Sequence, residues 1–264
     1  MNLGLQGKIA VVSGSTAGIG LAIASALAAE GARVVVNGRT EARVAAALEK
    51  IRQRIPNADV RGVAADLGTS AGVDAFVKQV PDADVLINNL GIFEPKPFLE
   101  IPDADWLRFF EVNVLSGVRL SRKYLPGMLK KNWGRVIFIS SESGQQTPVE
   151  MVHYGMTKTA QVAVARGLAG SVAGTGVTVN SVLPGPTDSE GVAGFVESMA
   201  KQQNVSKEEV EKQFFEKVRP SSLLKRFETT DEVAAVVAFV ASTQAAAING
   251  AAVRAEGGVI QSIF

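Results

Sequence analysis

Tyr154 and Lys158 stand four residues apart, a spacing that puts both side chains on one face of a helix. A lysine ammonium beside a phenol favours the phenolate and draws its pKa down from about 10, which makes a general acid/base of the tyrosine. A Y-x-x-x-K pair alone is more readily an ordinary surface pair. Ser141 adds weight, since it lies thirteen residues before Tyr154, just past the apolar run 136–139. That is the carboxyl end of an expected strand, where open α/β sheets bind their ligands.

A second cluster is either a phosphate-binding turn or simply a tight one. Gly14-Ser15-Thr16-Ala17-Gly18-Ile19-Gly20 follows a short apolar run and precedes a helical one. Helix-terminal N–H groups and the macrodipole there favour an anion, and glycines let the backbone approach it. The spacing is G-x-x-x-G-x-G, so it matches the mechanism of dinucleotide binding and not the G-x-G-x-x-G pattern. Where an NAD-binding chain carries an acid about 20 residues on, this one reads Asn37-Gly38-Arg39. Arg39 offers a charge-assisted fork to a 2′-phosphate, which favours NADP over NAD, although most arginines are simply solvated. Asp66, ending a third apolar run, is either an acceptor for an adenine amino group or a helix cap.

The elements that must position these groups alternate. Apolar strands are expected at 8–12, 33–36, 60–64, 85–87, 135–139, 177–182 and 251–255. Helical stretches lie between them, at 41–54, 70–79, 103–131 and 154–173, with a last one at 231–241 capped by Thr230 or Asp231. Apolar strands separated by helices imply a parallel sheet covered on both faces, and crossover handedness makes it doubly wound. The expectation is one α/β domain of Rossmann type over residues 1–264. A helical insertion at about 187–220 would cover the substrate.

Composition removes other chemistries. Twenty-seven basic residues against 26 acidic give a formal charge of +1, so no polybasic field holds nucleic acid or anionic lipid. Zero cysteines and the lone His153 exclude thiolate chemistry and a multi-histidine zinc site, so no metal is expected. No secretory leader is visible, and the apolar run 233–241 is far short of the ~20 residues a bilayer needs. These readings point to a cytoplasmic protein without a membrane or nucleic-acid partner.

Taken together, these motifs resemble the short-chain dehydrogenase/reductase family, over 5–262, and in particular its 3-oxoacyl-carrier-protein-reductase-like members. The family's glycine motif is matched by Gly14, Gly18 and Gly20, its N-N-A-G motif by Asn88-Asn89-Leu90-Gly91, and its P-G segment by Pro184-Gly185-Pro186-Thr187. Its catalytic groups are matched by Asn113, Ser141, Tyr154 and Lys158. The resemblance implies that Ser141 bonds the substrate oxygen, Tyr154 transfers its proton, Lys158 lowers the tyrosine pKa and holds the nicotinamide ribose, and Asn113 anchors a water. It implies cofactor contacts at Gly14, Ser15, Thr16, Gly18, Ile19, Gly20, Arg39, Asp66, Leu67, Asn89, Gly91, Tyr154, Lys158, Pro184, Gly185 and Thr187.

Departures from the family pattern are Leu90 in place of alanine, Glu142 after the serine, read as turn-forming, and His153 before the tyrosine, read as a spectator at the pocket rim. The insertion presents Val192, Phe195, Val196, Met199, Val210, Phe214 and Phe215 as an apolar wall without a basic clamp. An NADP(H)-dependent oxidoreductase acting on a small or medium apolar ketone or secondary alcohol is therefore expected. The alternatives are a 3-oxoacyl-carrier-protein reductase, disfavoured because Asn132 and Thr175 occupy positions resembling its docking arginines, and a non-catalytic nucleotide-binding regulatory protein. The helices at 103–131 and 154–173 and the apolar end 259–264 resemble the family's dimer and tetramer surfaces, which implies a homotetramer or homodimer.

Overall fold

The structure, a computed structural model, describes residues 2–263. Its first half runs β1 (Ile9–Val12), α1 (Gly18–Ala29), β2 (Arg33–Gly38), α2 (Glu41–Arg54), β3 (Val60–Ala64), α3 (Ser70–Gln79) and β4 (Val85–Asn88). There follow α4 (Asp103–Phe110), α5 (Ser116–Lys131), β5 (Gly134–Ile139), α6 (Val152–Ser171) and β6 (Val177–Pro184). The chain ends with β7 (Thr187–Asp188), α7 (Glu190–Gln203), α8 (Lys207–Gln213), β8 (Glu228–Thr229), α9 (Thr230–Ala241) and β9 (Ala252–Ala255). Seven strands form one parallel sheet in the order β3-β2-β1-β4-β5-β6-β9.

Successive strand residues point to opposite faces, and here both faces are dry. Ala10, Val12, Val34, Val36, Val85 and Ile87 pack with α1 and α9 on one side. Val11, Val35, Leu86, Val136 and Phe138 pack with α3, α5 and α6 on the other. Strands buried on both faces read as unbroken apolar runs, which is why their pattern is continuous and not alternating. The winding reverses between β1 and β4, and the crevice beyond their carboxyl ends is where such sheets take ligands.

Three local features depart from the sequence expectations. The helix expected over 103–131 is interrupted at Glu111–Leu115 by a π-helical turn that contains Asn113. The last helix is capped by Thr229, in place of Thr230 or Asp231, because Thr229 can exchange hydrogen bonds with Glu232 three residues on. A two-residue parallel ribbon, β7 with β8, closes the base of the 187–220 segment. No helix among the described residues is long and apolar enough to cross a membrane.

Candidate active site

The phosphate turn is held from below by its neighbours. Gly14 and Gly18 have φ of +62° and +53°, and a Cβ on Gly20 would stand 2.5 Å from both Asn89 Nδ2 and the Gly14 carbonyl. Asn89 Nδ2 donates to the carbonyls of Ser13 and Gly14 at 3.0 Å, which ties the end of β4 to the turn after β1. The N-cap of α1 is Ala17, with no side-chain cap, whereas Thr40 and Thr69 cap α2 and α3. The first amide groups of α1 are thus left for an anion.

Several expected cofactor residues are spent inside the protein. Ser15 is fully buried: its hydroxyl donates to the Val12 carbonyl and accepts from the Asn37 amide, and its own amide donates to the Asn37 carbonyl. Asn37 is likewise buried, accepting from the Gly14 amide and donating to the Val63 and Ala65 carbonyls. Leu67 points into the core beside Val63 and Phe76. Asp66 is exposed and accepts from the Gly68 amide, while the cap of α3 is Thr69. Arg39 is exposed just past β2, Thr16 packs against the end of that strand at Gly38, and no partner of the Arg39 guanidinium is found among the described residues.

A cavity of about 640 Å³ opens beyond the sheet, lined among others by Ile19, Asn89, Gly91, Ser141, Tyr154, Lys158, Pro184, Gly185 and Thr187. The structure thus brings the serine, the tyrosine and the lysine to one wall. Lys158 is buried and donates from Nζ to the Ile139 carbonyl at 2.9 Å, and that nitrogen lies 5.5 Å from the centre of the Tyr154 ring. Ser140 fixes the same helix turn by donating to the Lys158 carbonyl. Burial pushes the lysine down to about 7 and the tyrosine up to about 12, a hydrogen bond with Ser141 offsetting part of the latter. The downward pull on the phenol expected from Lys158 is not found: besides burial, Glu142 raises its pKa, and Ser141 and Arg219 lower it. Thr187 donates to the Gly185 carbonyl, which shapes the P-G bend.

Asn113 lies behind the wall and is completely buried. Its amide accepts from the Ile92 N–H at 2.8 Å and donates to the Ile92 carbonyl and to Thr157 Oγ1. Its side chain therefore latches the loop after β4, and the carbonyl released by the π-helical turn accepts from Gln161. Gly91 sits where a Cβ would be 3.4 Å from Lys158 Nζ, so the loop passes close over the lysine.

Two readings of the sequence change. His153 is not at a rim: it is fully buried, its ring 4.1 Å from that of Phe109 and 6.0 Å from that of Trp106. Burial holds it neutral by lowering its pKa. Glu142 does form a turn, yet its carboxylate is buried and takes Arg219 Nε at 2.9 Å, while Arg219 Nη1 reaches Glu150 at 3.1 Å. Arg219 and Glu150 also line the cavity and were not singled out from the sequence, because nothing local signals that Arg219 pairs with acids 69 and 77 residues earlier. Of the expected apolar wall, Val192, Met199, Val210 and Phe214 line the cavity, and Phe215 packs inward on Phe227. The side chain of Phe195 and residue Phe264 lie outside the described residues.

The glycine turn, the uncapped start of α1 and the buried lysine fit a dinucleotide. The family of short chain dehydrogenases matches residues 8–211. An uncharacterised oxidoreductase of Bacillus subtilis, YvaG, is 47% identical over the whole of both chains. A 3-oxoacyl-[acyl-carrier-protein] reductase of Aquifex aeolicus is 32% identical, covering 98% of this chain and all of its own. The L-sorbose reductase of Gluconobacter frateurii, solved with NADPH and L-sorbose, superposes with a TM-score of 0.94 at 30% identity over the full length of both. The chain belongs to the short-chain dehydrogenase/reductase family and is an NAD(P)-dependent oxidoreductase.

Proposed function

We propose that the protein is an NADP(H)-dependent oxidoreductase acting on a carbonyl or secondary-alcohol substrate. The convergence of Ser141, Tyr154 and Lys158 on one cavity wall, beside the uncapped start of α1, carries this reading. When bound, the dinucleotide supplies or takes the hydride. Tyr154, held protonated by burial, gives its proton to the carbonyl oxygen in reduction and recovers it from the hydroxyl in oxidation. The Ser141 hydroxyl donates to the same oxygen and stabilises the charge that develops there. Lys158, with a pKa near 7, is the nearby group able to exchange a proton at neutral pH; it also holds the nicotinamide ribose. Asn113 positions the loop that passes over Lys158.

Cofactor contacts are assigned to Gly14, Thr16, Gly18, Ile19, Gly20, Asn89, Gly91, Pro184, Gly185 and Thr187, with Arg39 as reader of the 2′-phosphate. The NADPH in the Gluconobacter reductase supports that preference. Ser15 and Leu67 contribute through the backbone or packing. A carrier-protein substrate is less well supported: Asn132 is the left-handed end of α5 and accepts from the Gly176 amide, so no docking arginine stands there. Assembly through α5 and α6 is proposed from their shared apolar groove, which includes Val118, Leu125, Leu129 and Leu168; light scattering that finds a monomer would refute it.

Paired calorimetric titration with NADPH and NADH tests the cofactor reading. NADPH binding tighter by tenfold or more, about 1.4 kcal/mol, is the expected result. Preference for NADH would remove Arg39 from its role, and failure of both cofactors to bind would overturn the assignment of the site.

A further inference from the structure

The reaction uses Ser141, Tyr154 and Lys158, which leaves the most costly feature of the cavity without a task. Glu142 directly follows Ser141 and is 4% exposed. Its Oε1 takes Arg219 Nε, but its Oε2 is buried without a hydrogen-bond partner, and the residue lines the cavity. Arg219 is 8% exposed; Nε and Nη1 are engaged with Glu142, Glu150 and the Val218 carbonyl. Its Nη2 makes no hydrogen bond among the described residues, and Arg219 lines the same cavity.

Burying an ion pair usually costs more in desolvation than the pair returns, and apolar residues of similar volume would have finished the wall more cheaply. Such a pair, directly after Ser141 in the chain and on the same cavity, is better explained by recognition. A neutral hydroxyl satisfies both halves, donating to the carboxylate and accepting from the guanidinium. A substrate carboxylate would meet two carboxylates, Glu142 and Glu150, beside the Arg219 guanidinium; of the cavity's other cations, Lys158 is engaged with the Ile139 carbonyl and Lys217 is exposed. A plain alkyl group would leave the buried polar atoms unpaired.

We propose that Glu142 and Arg219 form a hydroxyl-recognition site that selects neutral carbonyl substrates bearing a hydroxyl one or two carbons from the carbonyl. This rests on the oxidoreductase reading above and narrows its carbonyl substrate to a hydroxyketone, reduced by hydride and a proton to the corresponding diol or formed by oxidation of that diol. Glu142 and Arg219 act as specificity residues, with no proton transfer assigned to them.

Steady-state NADPH oxidation with near-isosteric pairs tests this: hydroxyacetone against butan-2-one, and 4-hydroxybutan-2-one against pentan-2-one, with acetoacetate as the anionic probe. The expected wild-type result is a kcat/KM at least tenfold higher for the hydroxyketone in one pair or both, with acetoacetate below that hydroxyketone. In E142Q the ratio within that pair should fall toward one, and R219K, which keeps the charge but loses the fork, should lower it severalfold. A purely structural pair would lower both members of a pair equally, so an unchanged ratio in folded variants overturns the proposal. Thermal melting and NADPH titration check the fold, and if E142Q does not fold, R219K alone decides. Equal or better use of the alkyl ketones, or preference for acetoacetate, refutes the hydroxyl site while leaving the reductase reading intact. Tight NADPH binding with no reduction of any probe refutes both.

Discussion

The two halves of the active site are built on different physical terms. At the phosphate end, between β1 and β4, the polar groups are neutral and close on one another over short distances: Ser13, Ser15, Asn37 and Asn89 bond backbone atoms of adjacent strand ends. At the substrate end, the 187–220 segment and its flanks are held by buried carboxyl groups, with Glu142 against Arg219 and Glu228 against the Gly185 amide. Neutral bonds to backbone satisfy their partners at little desolvation cost, whereas the buried carboxylates shift their own pKa upward. The first half is therefore expected to be rigid and insensitive to pH, and the second adjustable and responsive to it.

The chemistry sits on the seam between the halves, so its loss has the largest effect. Tyr154→Phe is expected to cut turnover by roughly 10²–10⁴-fold while NADPH affinity stays close to the parent value. Stopped assays with saturating cofactor, paired with calorimetry, separate these quantities; a comparable fall in cofactor affinity would place Tyr154 in binding and not in proton transfer. The rigidity of the phosphate end is tested by Gly20→Ala. Its new Cβ meets the Gly14 carbonyl and Asn89 Nδ2, neither of which can move without breaking the turn, so a loss of about 1–3 kcal/mol in stability is expected together with weaker NADPH binding. An unchanged melting curve would show that the turn is softer than its hydrogen bonds imply.

The adjustable half is tested by pH. Burial and the neighbouring Glu256 raise Glu228 to about 7. The folded protein therefore keeps that proton where the unfolded chain has lost it. Its contribution is complete below about pH 4.5 and falls away as pH rises toward 7, by about 2 kcal/mol once partial solvent access is allowed for. Glu228→Gln should flatten this part of the stability profile, measured by urea unfolding at pH 4.5, 5.5 and 7; an unaltered slope would exclude Glu228 as its source. Arg39→Ala, back at the phosphate end, is a smaller effect of a different kind. A tenfold loss of NADPH affinity with NADH binding unaltered is expected, about 1.4 kcal/mol, because an exposed guanidinium is partly screened. An equal loss for both dinucleotides would remove it as reader of the 2′-phosphate.

The same contrast explains what the sequence disclosed. Gly14, Gly18 and Gly20 act within one turn, and Tyr154 with Lys158 within one helix, so spacing alone places them. Strands buried on both faces announce themselves as Val- and Ile-rich runs, and all seven were legible. Direction was not: Ser15 and Leu67 are neighbours of positions proposed to face the cofactor, yet side chains in a tight turn alternate, and both point into the protein. His153 was misplaced for a similar reason, because a single imidazole in a helix does not reveal that Trp106 and Phe109, more than forty residues earlier, form its bed. Glu142 and Arg219 were invisible as a pair, since long-range charge pairing leaves no periodic trace. The π-helical turn at Asn113 has no pattern of its own in an otherwise helical stretch.

Glycines offer the gentlest test of the difference between the halves. Gly194 lies inside α7 on its exposed side, and a Cβ there meets nothing within 4 Å, in contrast to Gly20 at the phosphate end. With no turn, close approach or positive φ to explain it, its cost is the ordinary one of glycine in a helix, about 1 kcal/mol relative to alanine. Gly194→Ala is expected to stabilise α7 by about 0.5–1 kcal/mol, read as slower amide exchange along α7, with little change in global melting because the sheet sets that transition. Substrate KM should then change more than NADPH affinity, since α7 contributes Val192 and Met199 to the cavity wall. If NADPH affinity changed and KM did not, the 187–220 segment would belong mechanically to the cofactor half, and the division between the two halves would have to be redrawn.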